Sequence, residues 1–253
     1  MLPRNSIIIL TLVVFLHMLT ACVSTSESKV VPEEVAKANV NLASEYLRLE
    51  KLDLAVKSAK KAIKAQPDSV QANSLIALIY QRLELLEKAD FHFSKAVEYA
   101  EEDSAEYGVV HNNYGVFLCQ QDRFFDAEEH FILAADNKLY VSPEQAFENA
   151  GLCGLKQNDS KMAERYFGMA LKVKSGSVRS LIELAKLNYA NEEYLRSRAF
   201  IQRYHDVETP SVQSLKLAIQ IETQLGAEEE VILLKNKLND RFPEHKMESA
   251  QTN

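Results

Sequence analysis

Prolines recur along most of this chain at a spacing close to 34 residues, or to twice that number. Beyond residue 30 their separations are 35, 76, 67 and 33 residues, and their positions are Pro32, Pro67, Pro143, Pro210 and Pro243. A proline inside a helix loses a hydrogen bond and clashes with the preceding turn, so these prolines predict turns between helical pairs. Only 7 glycines occur in 253 residues, which favours helix throughout. A regularly repeated helical pair is therefore predicted, in an all-α chain.

Each period also carries the same alternation of large and small apolar residues. A Phe-x-x-Ala pair recurs in register three times, beginning at Phe93, Phe131 and Phe167. This pattern resembles the tetratricopeptide (TPR) repeat, in which small residues let two helices approach closely. An ordinary helical bundle is the alternative. We predict one continuous right-handed TPR superhelix of about six helix-turn-helix repeats. The predicted repeats are 36–69, 70–103, 108–141, 144–177, 178–211 and 212–245.

The N-terminal segment reads as a processing signal. The apolar run 7–19 is too short to span a bilayer comfortably, which takes about 20 residues. The run ends in Leu-Thr-Ala-Cys22, which resembles the lipobox of bacterial lipoproteins; an ordinary signal peptide followed by a chance cysteine is the alternative. The resemblance implies cleavage before Cys22 and acyl chains, palmitate among them, on that residue. We predict a signal peptide over 1–21, an anchor and tether over 22–35, and a C-terminal tail over 246–253.

The composition argues against several classes of function. The net charge of −7 disfavours nucleic acid, and the scarcity of glycine disfavours phosphate-binding loops. The chain contains no HExxH, CxxC or Gly-x-Ser-x-Gly motif. His92 and His130 occupy equivalent places in adjacent repeats, where they form either a metal pair or, as we predict, part of a helix seam. We therefore predict a protein that is not an enzyme, without metal, cofactor or small-molecule substrate.

Two cysteines remain once Cys22 is assigned to lipid. Cys119 and Cys153 lie on the predicted first helices of consecutive repeats, and such helices pack side by side in a TPR array. A disulfide persists in an oxidising extracytoplasmic compartment. The alternative is a pair of small buried thiols. We predict a disulfide that joins the third repeat to the fourth.

Two short motifs resemble signatures of one family of TPR lipoproteins. They are HNNYGVFLCQ at residues 111–120 and ENAGLC at residues 148–153. Both resemble the type IV pilus biogenesis proteins of the PilF/PilW family, the secretin pilotins, although Val116 stands where that family often has a bulky aromatic. The resemblance implies a protein anchored by lipid to the periplasmic face of the outer membrane. It also implies a role in localisation and multimerisation of the type IV pilus secretin. An outer-membrane TPR adaptor that recruits another periplasmic partner, such as a protease or a cell-wall enzyme, is the alternative.

The concave face of the superhelix is the predicted partner-binding surface. Its inward positions carry seven basic residues and one acidic residue, Glu148. The basic ones are Lys37, Arg48, Arg82, Lys156, Arg179, Lys186 and Lys216. Apolar inward residues cluster towards the N-terminus at Val40, Leu47 and Leu78. We predict that these three form an exposed apolar strip, not needed for the core, with Arg48 and Arg82 as its charged border.

Overall fold

The computed structural model describes residues 31–245, which form a stack of helical pairs. The structure confirms the all-α TPR superhelix, with twelve α-helices and a short 3₁₀-helix in the described range. The α-helices are α1 (Pro32–Arg48), α2 (Leu52–Ala65), α3 (Val70–Arg82), α4 (Leu86–Tyr99), α5 (Ala105–Gln120), α6 (Phe124–Asp136), α7 (Pro143–Lys156), α8 (Ser160–Val173), α9 (Val178–Ala190), α10 (Tyr194–Val207), α11 (Val212–Gln224) and α12 (Glu228–Arg241). The 3₁₀-helix is Pro243–His245.

Helices pack most closely within each pair and then against the next pair along the chain. First helices also meet those of neighbouring repeats, as α1 meets α3 and α3 meets α5. The first five repeats therefore each have their second helix in contact with the next repeat. The buried residues form one large cluster over the N-terminal repeats and smaller clusters, most of them towards the C-terminus.

In the core, aromatic rings alternate with small residues, as the sequence pattern predicts. Phe93, Phe131 and Phe167 are fully buried, each in the second helix of its repeat. A Cβ added to Gly115 would lie 2.8 Å from the Phe131 ring, so only glycine lets the ring approach this closely. Leu42 differs from its equivalents because it is exposed. Within the described residues no earlier helix precedes α1 to cover it.

The turn inside every repeat has the same left-handed residue. The fifteenth residue of each repeat has a positive φ, between 55° and 61° in five repeats and 68° in the sixth. These residues are Glu50, Glu84, Asp122, Asn158, Glu192 and Gly226. In the first turn the Lys51 N–H donates to the Tyr46 carbonyl at 2.8 Å, which closes the helix end in a Schellman-type cap. Five repeats thus hold a non-glycine residue where glycine is usual.

Two details of the predicted boundaries are wrong. Helix α1 begins at Pro32, so residues 32–35 are helical rather than part of the tether. Pro32 and Pro143 stand at the first turn of a helix instead of in the turn between pairs, because proline lacks the N–H that is unpaired there anyway. Cys22 and the tail 246–253 lie outside the described residues. None of the helices in the described range is long and apolar enough to cross a bilayer.

Candidate partner-binding site

A groove lies where the C-terminal ends of α1 and α3 meet. We call it the first groove; its walls include Leu47, Arg48, Leu78 and Arg82, four of the five predicted partner-binding residues. Val40 lies in a separate hollow, nearer the N-terminal end of α1. The polar residues that complete the first groove are Glu50, Gln81, Glu84 and Gln120.

The predicted apolar strip is not free surface. Val40, Leu47 and Leu78 are each half-buried and pack against the main hydrophobic core. The prediction that they are exposed and dispensable for the core is therefore wrong. A side chain at an inward position of a first helix packs partly against the neighbouring first helix, so that part of it is covered.

The charged border is also different from the prediction, because its cations are paired. Arg48 bonds Glu45 at 2.6 Å, and Arg82 bonds Glu50 of the preceding repeat. These bonds hold the pKa of both carboxyl groups below the usual value. At this border the count of inward positions overstated the positive charge, because it omitted Glu45 and Glu50 beside the two arginines.

One of these contacts recurs along the stack. Arg82 meets the left-handed Glu50 of the first repeat, and Lys156 meets the left-handed Asp122 of the third repeat at 2.8 Å. In both cases the thirteenth residue of a repeat reaches the fifteenth residue of the repeat before it. Lys156 also donates to the carbonyls of Cys119 and Gln120, at 2.9 and 2.8 Å, which caps α5.

The two family-like motifs meet at the seam between the third and fourth repeats. Cys119 and Cys153 are joined by a disulfide, with sulfurs 2.09 Å apart and Cα atoms 5.8 Å apart. The Asn149 side chain donates to the Asn112 side chain at 2.9 Å across the same seam. A Cβ on Gly151 would lie 2.7 Å from the Phe167 ring. The disulfide and the Asn112–Asn149 hydrogen bond therefore link two consecutive repeats, whereas Gly151 lets α7 and α8 approach each other inside the fourth repeat.

His92 and His130 each pair with a residue of their own repeat and not with each other. His92 Nδ1 lies 3.0 Å from the Asn73 amide oxygen, and His111 Nδ1 lies 2.7 Å from His130 Nδ1. Each contact joins the fourth residue of a repeat to its twenty-third. His92 and His130 therefore belong to the seam inside each repeat. Among the described residues no three potential ligands converge on a metal position.

The pair formed by His111 and His130 is held neutral by its surroundings. Burial, with the neighbouring His130 as a second cause, lowers the pKa of His111 to about 4. Burial also lowers the pKa of His130, against the opposing effect of Glu129 and Asp126. His111 Nε2 is buried and has no hydrogen-bond partner among the described residues. Protonation of this seam is therefore unfavourable in the folded state.

We expect acid to destabilise the protein through this pair. The unfolded histidine titrates near pH 6.5, above the folded pKa, so the unfolded state binds more protons and stability falls as pH drops. The free energy of unfolding should fall by roughly 2.5 kcal/mol between pH 6.5 and pH 4 because of His111. His111→Asn, which copies the Asn73 arrangement of the second repeat, should remove this part of the pH dependence. Urea unfolding at several pH values measures it, and equal slopes for both proteins would contradict the assignment.

The fold and its grooves define a TPR protein, a class that presents helical surfaces to protein partners. The tetratricopeptide repeat family profile matches residues 36–69 and 70–103. The type IV pilus assembly protein PilF of Pseudomonas aeruginosa is 27% identical over 208 residues, covering 80% of this chain and 81% of PilF. A Haemophilus influenzae protein is 33% identical over 172 residues, covering 62% of this chain and 94% of that one.

Two solved structures have the same architecture along most of their length. The Pseudomonas aeruginosa PilF structure superposes with a TM-score of 0.69 and 25% identity, covering 84% of this chain and 94% of that one. PilW, described as a widely conserved type IV pilus biogenesis factor, superposes with a TM-score of 0.67 and 29% identity, covering 87% and 98%. The chain belongs to the PilF/PilW family of type IV pilus biogenesis TPR proteins.

Proposed function

We propose that this protein is a pilotin, a non-catalytic lipoprotein that promotes outer-membrane localisation and multimerisation of the type IV pilus secretin. Its anchor is the acylated Cys22, and its attachment is to the periplasmic face of the outer membrane. Membership of the PilF/PilW family is the observation that carries the proposal. The TPR fold supports it, since stacked helical pairs form extended surfaces suited to holding a protein segment.

The first groove is the proposed contact with the secretin. It combines the half-exposed side chains of Leu47 and Leu78 with the exposed arginines Arg48 and Arg82. An apolar floor bordered by charges suits a segment that inserts an apolar anchor, with the charges guiding its approach. The half-burial of the two leucines limits the floor to a narrow strip between repeats.

Deleting the gene tests the function. We expect the detergent-resistant secretin multimer to disappear and to return when the wild-type gene is restored. The Cys22→Ser variant should fold, because residues 31–245 contain the core, but should leave the outer-membrane fraction after a high-salt wash. A deletion strain that retains its secretin multimer would refute the pilotin role and favour the adaptor that serves another periplasmic partner.

Charge reversal on the border tests the first groove. Arg48→Glu with Arg82→Glu should slow association with the secretin by about tenfold and alter its salt dependence, because rim charges act mainly on association rates. The fold should persist, since both side chains are more than 60% exposed and exposed ion pairs contribute little to stability. Binding kinetics on immobilised secretin measure the effect.

The matched control reverses two arginines elsewhere in the array. Arg165→Glu with Arg196→Glu breaks the ion pairs to Glu128 and Glu164, which also join neighbouring repeats. Both arginines are more than 50% exposed, so the change in charge is the same, and the control loses one more ion pair, that of Arg196 with Glu193. Equal association rates for the two double variants would rule out the first groove as the contact.

A further inference from the structure

The outer face of α2 carries four exposed lysines. They are Lys57, Lys60, Lys61 and Lys64, and all lie opposite the buried side of the helix, which consists of Ala55, Ser58, Ala59 and Ala62. At 100° per residue the four lysines fall within an arc of roughly 100°. We call this surface the lysine face. It runs along the second helix of the first repeat.

The lysine face is not part of the network that holds the repeats together. None of the four lysines forms an ion pair with a carboxylate in residues 31–245, whereas exposed arginines elsewhere in that range do, as Arg123 does with Asp90. Lys57 and Lys61 are four residues apart, as are Lys60 and Lys64, so like charges stand one turn apart and destabilise the helix. Lys64 lies in the last turn of α2, where the partial negative charge of the helix C-terminus stabilises a cation. Lys57 and Lys60 lie too far from that end for this effect. The fold itself does not account for these lysines.

The charge of this face is opposite to that of the chain. The net charge is −7, yet α2 has four lysines against the single acid Asp53. The second helix of the third repeat, α6, shows the contrast, with four acidic residues and no basic one. Among the second helices α2 has the largest excess of positive charge, three, compared with two in α8 and two in α10.

We propose that the lysine face docks on an anionic lipid bilayer. The proposal adds to the proposed anchoring at Cys22 and names the surface that faces the lipid. Nine residues separate Cys22 from Pro32, and an extended chain of that length reaches at most about 30 Å. The first repeat, which carries the lysine face, is therefore the repeat held nearest to the headgroups. Lysines close to an anionic surface are attracted within a Debye length.

The residue types on this face favour lipid over an acidic protein. Protein interfaces are rich in aromatic residues and arginine and poor in lysine. The exposed positions of α2 hold no aromatic residue and no arginine; Leu54 is the large apolar side chain among them. Lysine ammonium groups are flexible, strongly hydrated point charges, which suit a fluid array of phosphate groups better than a fixed partner.

Lysine labelling on vesicles tests the proposal. The full chain, as the cell processes it, is reconstituted with vesicles of phosphatidylcholine alone or with about one third phosphatidylglycerol, which makes the surface anionic. Acylation of individual lysines is then followed by mass spectrometry. We expect the four lysines to react at least threefold more slowly on anionic vesicles, and the protection to vanish at about 0.5 M salt. Lys161 and Lys172, exposed on α8, should react equally on both.

A variant series separates this contact from the anchor. Changing the four lysines to glutamine removes the labelled groups, so this variant is read by flotation: without the lipid anchor it should no longer float with anionic vesicles, and its melting temperature should rise slightly. A matched control changes four other exposed lysines to glutamine, Lys138, Lys161, Lys172 and Lys216, and should retain the protection. Equal labelling of the lysine face on both vesicles would overturn the proposal, as would protection seen only in native envelopes, which would identify an acidic protein as the partner.

The test of the lysine face can be separated from the tests of the lipid anchor and of the pilotin role. Flotation with neutral vesicles reports the lipid anchor, and the secretin multimer reports the pilotin role. A chain without an anchor that still floats with anionic vesicles, and loses this in the glutamine variant, would support the lysine face alone. A floating, pilotin-active chain with unprotected lysines would refute the lysine face alone.

Discussion

Removal of the Cys119–Cys153 disulfide is expected to lower the free energy of unfolding by about 3 kcal/mol, because the bond closes a loop of 35 residues in the unfolded chain. Cys119→Ala combined with Cys153→Ala should show this loss in urea unfolding. Reductant should lower the melting temperature of the wild type and leave the double variant unchanged. The seam between the third and fourth repeats loses its covalent link but keeps the Asn112–Asn149 hydrogen bond and the ion pairs of Lys156 with Asp122 and of Arg165 with Glu128.

Thiol counting provides a direct check of the same bond. Protein freshly isolated from the oxidising compartment should show no reactive thiol when it is denatured without reductant. Two free thiols, or identical melting with and without reductant, would contradict the prediction.

Gly154→Ala is expected to lower the free energy of unfolding by about 2 kcal/mol, although alanine is the better helix former. A Cβ at residue 154 would lie 2.8 Å from the Ala163 backbone nitrogen and 3.2 Å from the Asp159 carbonyl oxygen. Backbone atoms cannot rotate away as a side chain does, so α7 and α8 must move apart. Urea unfolding measures the loss.

Gly168 is the matched control for that substitution. It lies in α8, and a Cβ there would meet no atom within 4 Å. Gly168→Ala should therefore stabilise the protein by about 0.5–1 kcal/mol through helix propensity alone. Effects of the same sign at both glycines would show that helix propensity, rather than the close approach at Gly154, decides the outcome.

The sequence pattern predicted the helical pairs and most of the core because burial leaves a periodic trace. Small residues at fixed places on both helices, and the rings at Phe93, Phe131 and Phe167, mark positions that face a neighbouring helix in every repeat. The motifs around Gly115 and Gly151 were also visible, since glycine inside a helix signals close approach. The disulfide between the two motifs was predicted from the cysteines, whereas the hydrogen bond between Asn112 and Asn149 could not be seen from the residue types alone.

The left-handed turn residues were missed for a specific reason. Glycine usually marks such a turn, but among the six repeats only the sixth has it, at Gly226. In the other turns the helix-capping hydrogen bonds, such as that from Lys51 to Tyr46, hold a non-glycine residue in the left-handed region. A signal was available in the acidic or amide residues at this position, which recur in the first five repeats.

The first groove shows how much of a binding surface can be predicted from the positions of residues on a helix face. Leu47, Arg48, Leu78 and Arg82 do lie together, since inward positions of adjacent first helices are neighbours. The exposure of the leucines and the unpaired charge of Arg82 were predicted wrongly, because both depend on how the adjacent repeat is rotated. That rotation half-covers the leucines and places Glu50 against Arg82.

The sequence by itself determined the helical period, the repeated core positions and the family, because each of these is a pattern of residue types along one chain. Only the tertiary structure decided which polar groups pair. His111 pairs with His130 and Asp122 with Lys156, whereas the lysines of α2 form no ion pair with a carboxylate of residues 31–245. The physical reason is that burial follows from the face of a helix, whereas a hydrogen bond or an ion pair requires two side chains within about 3 Å. The packing of each repeat on the next sets that distance.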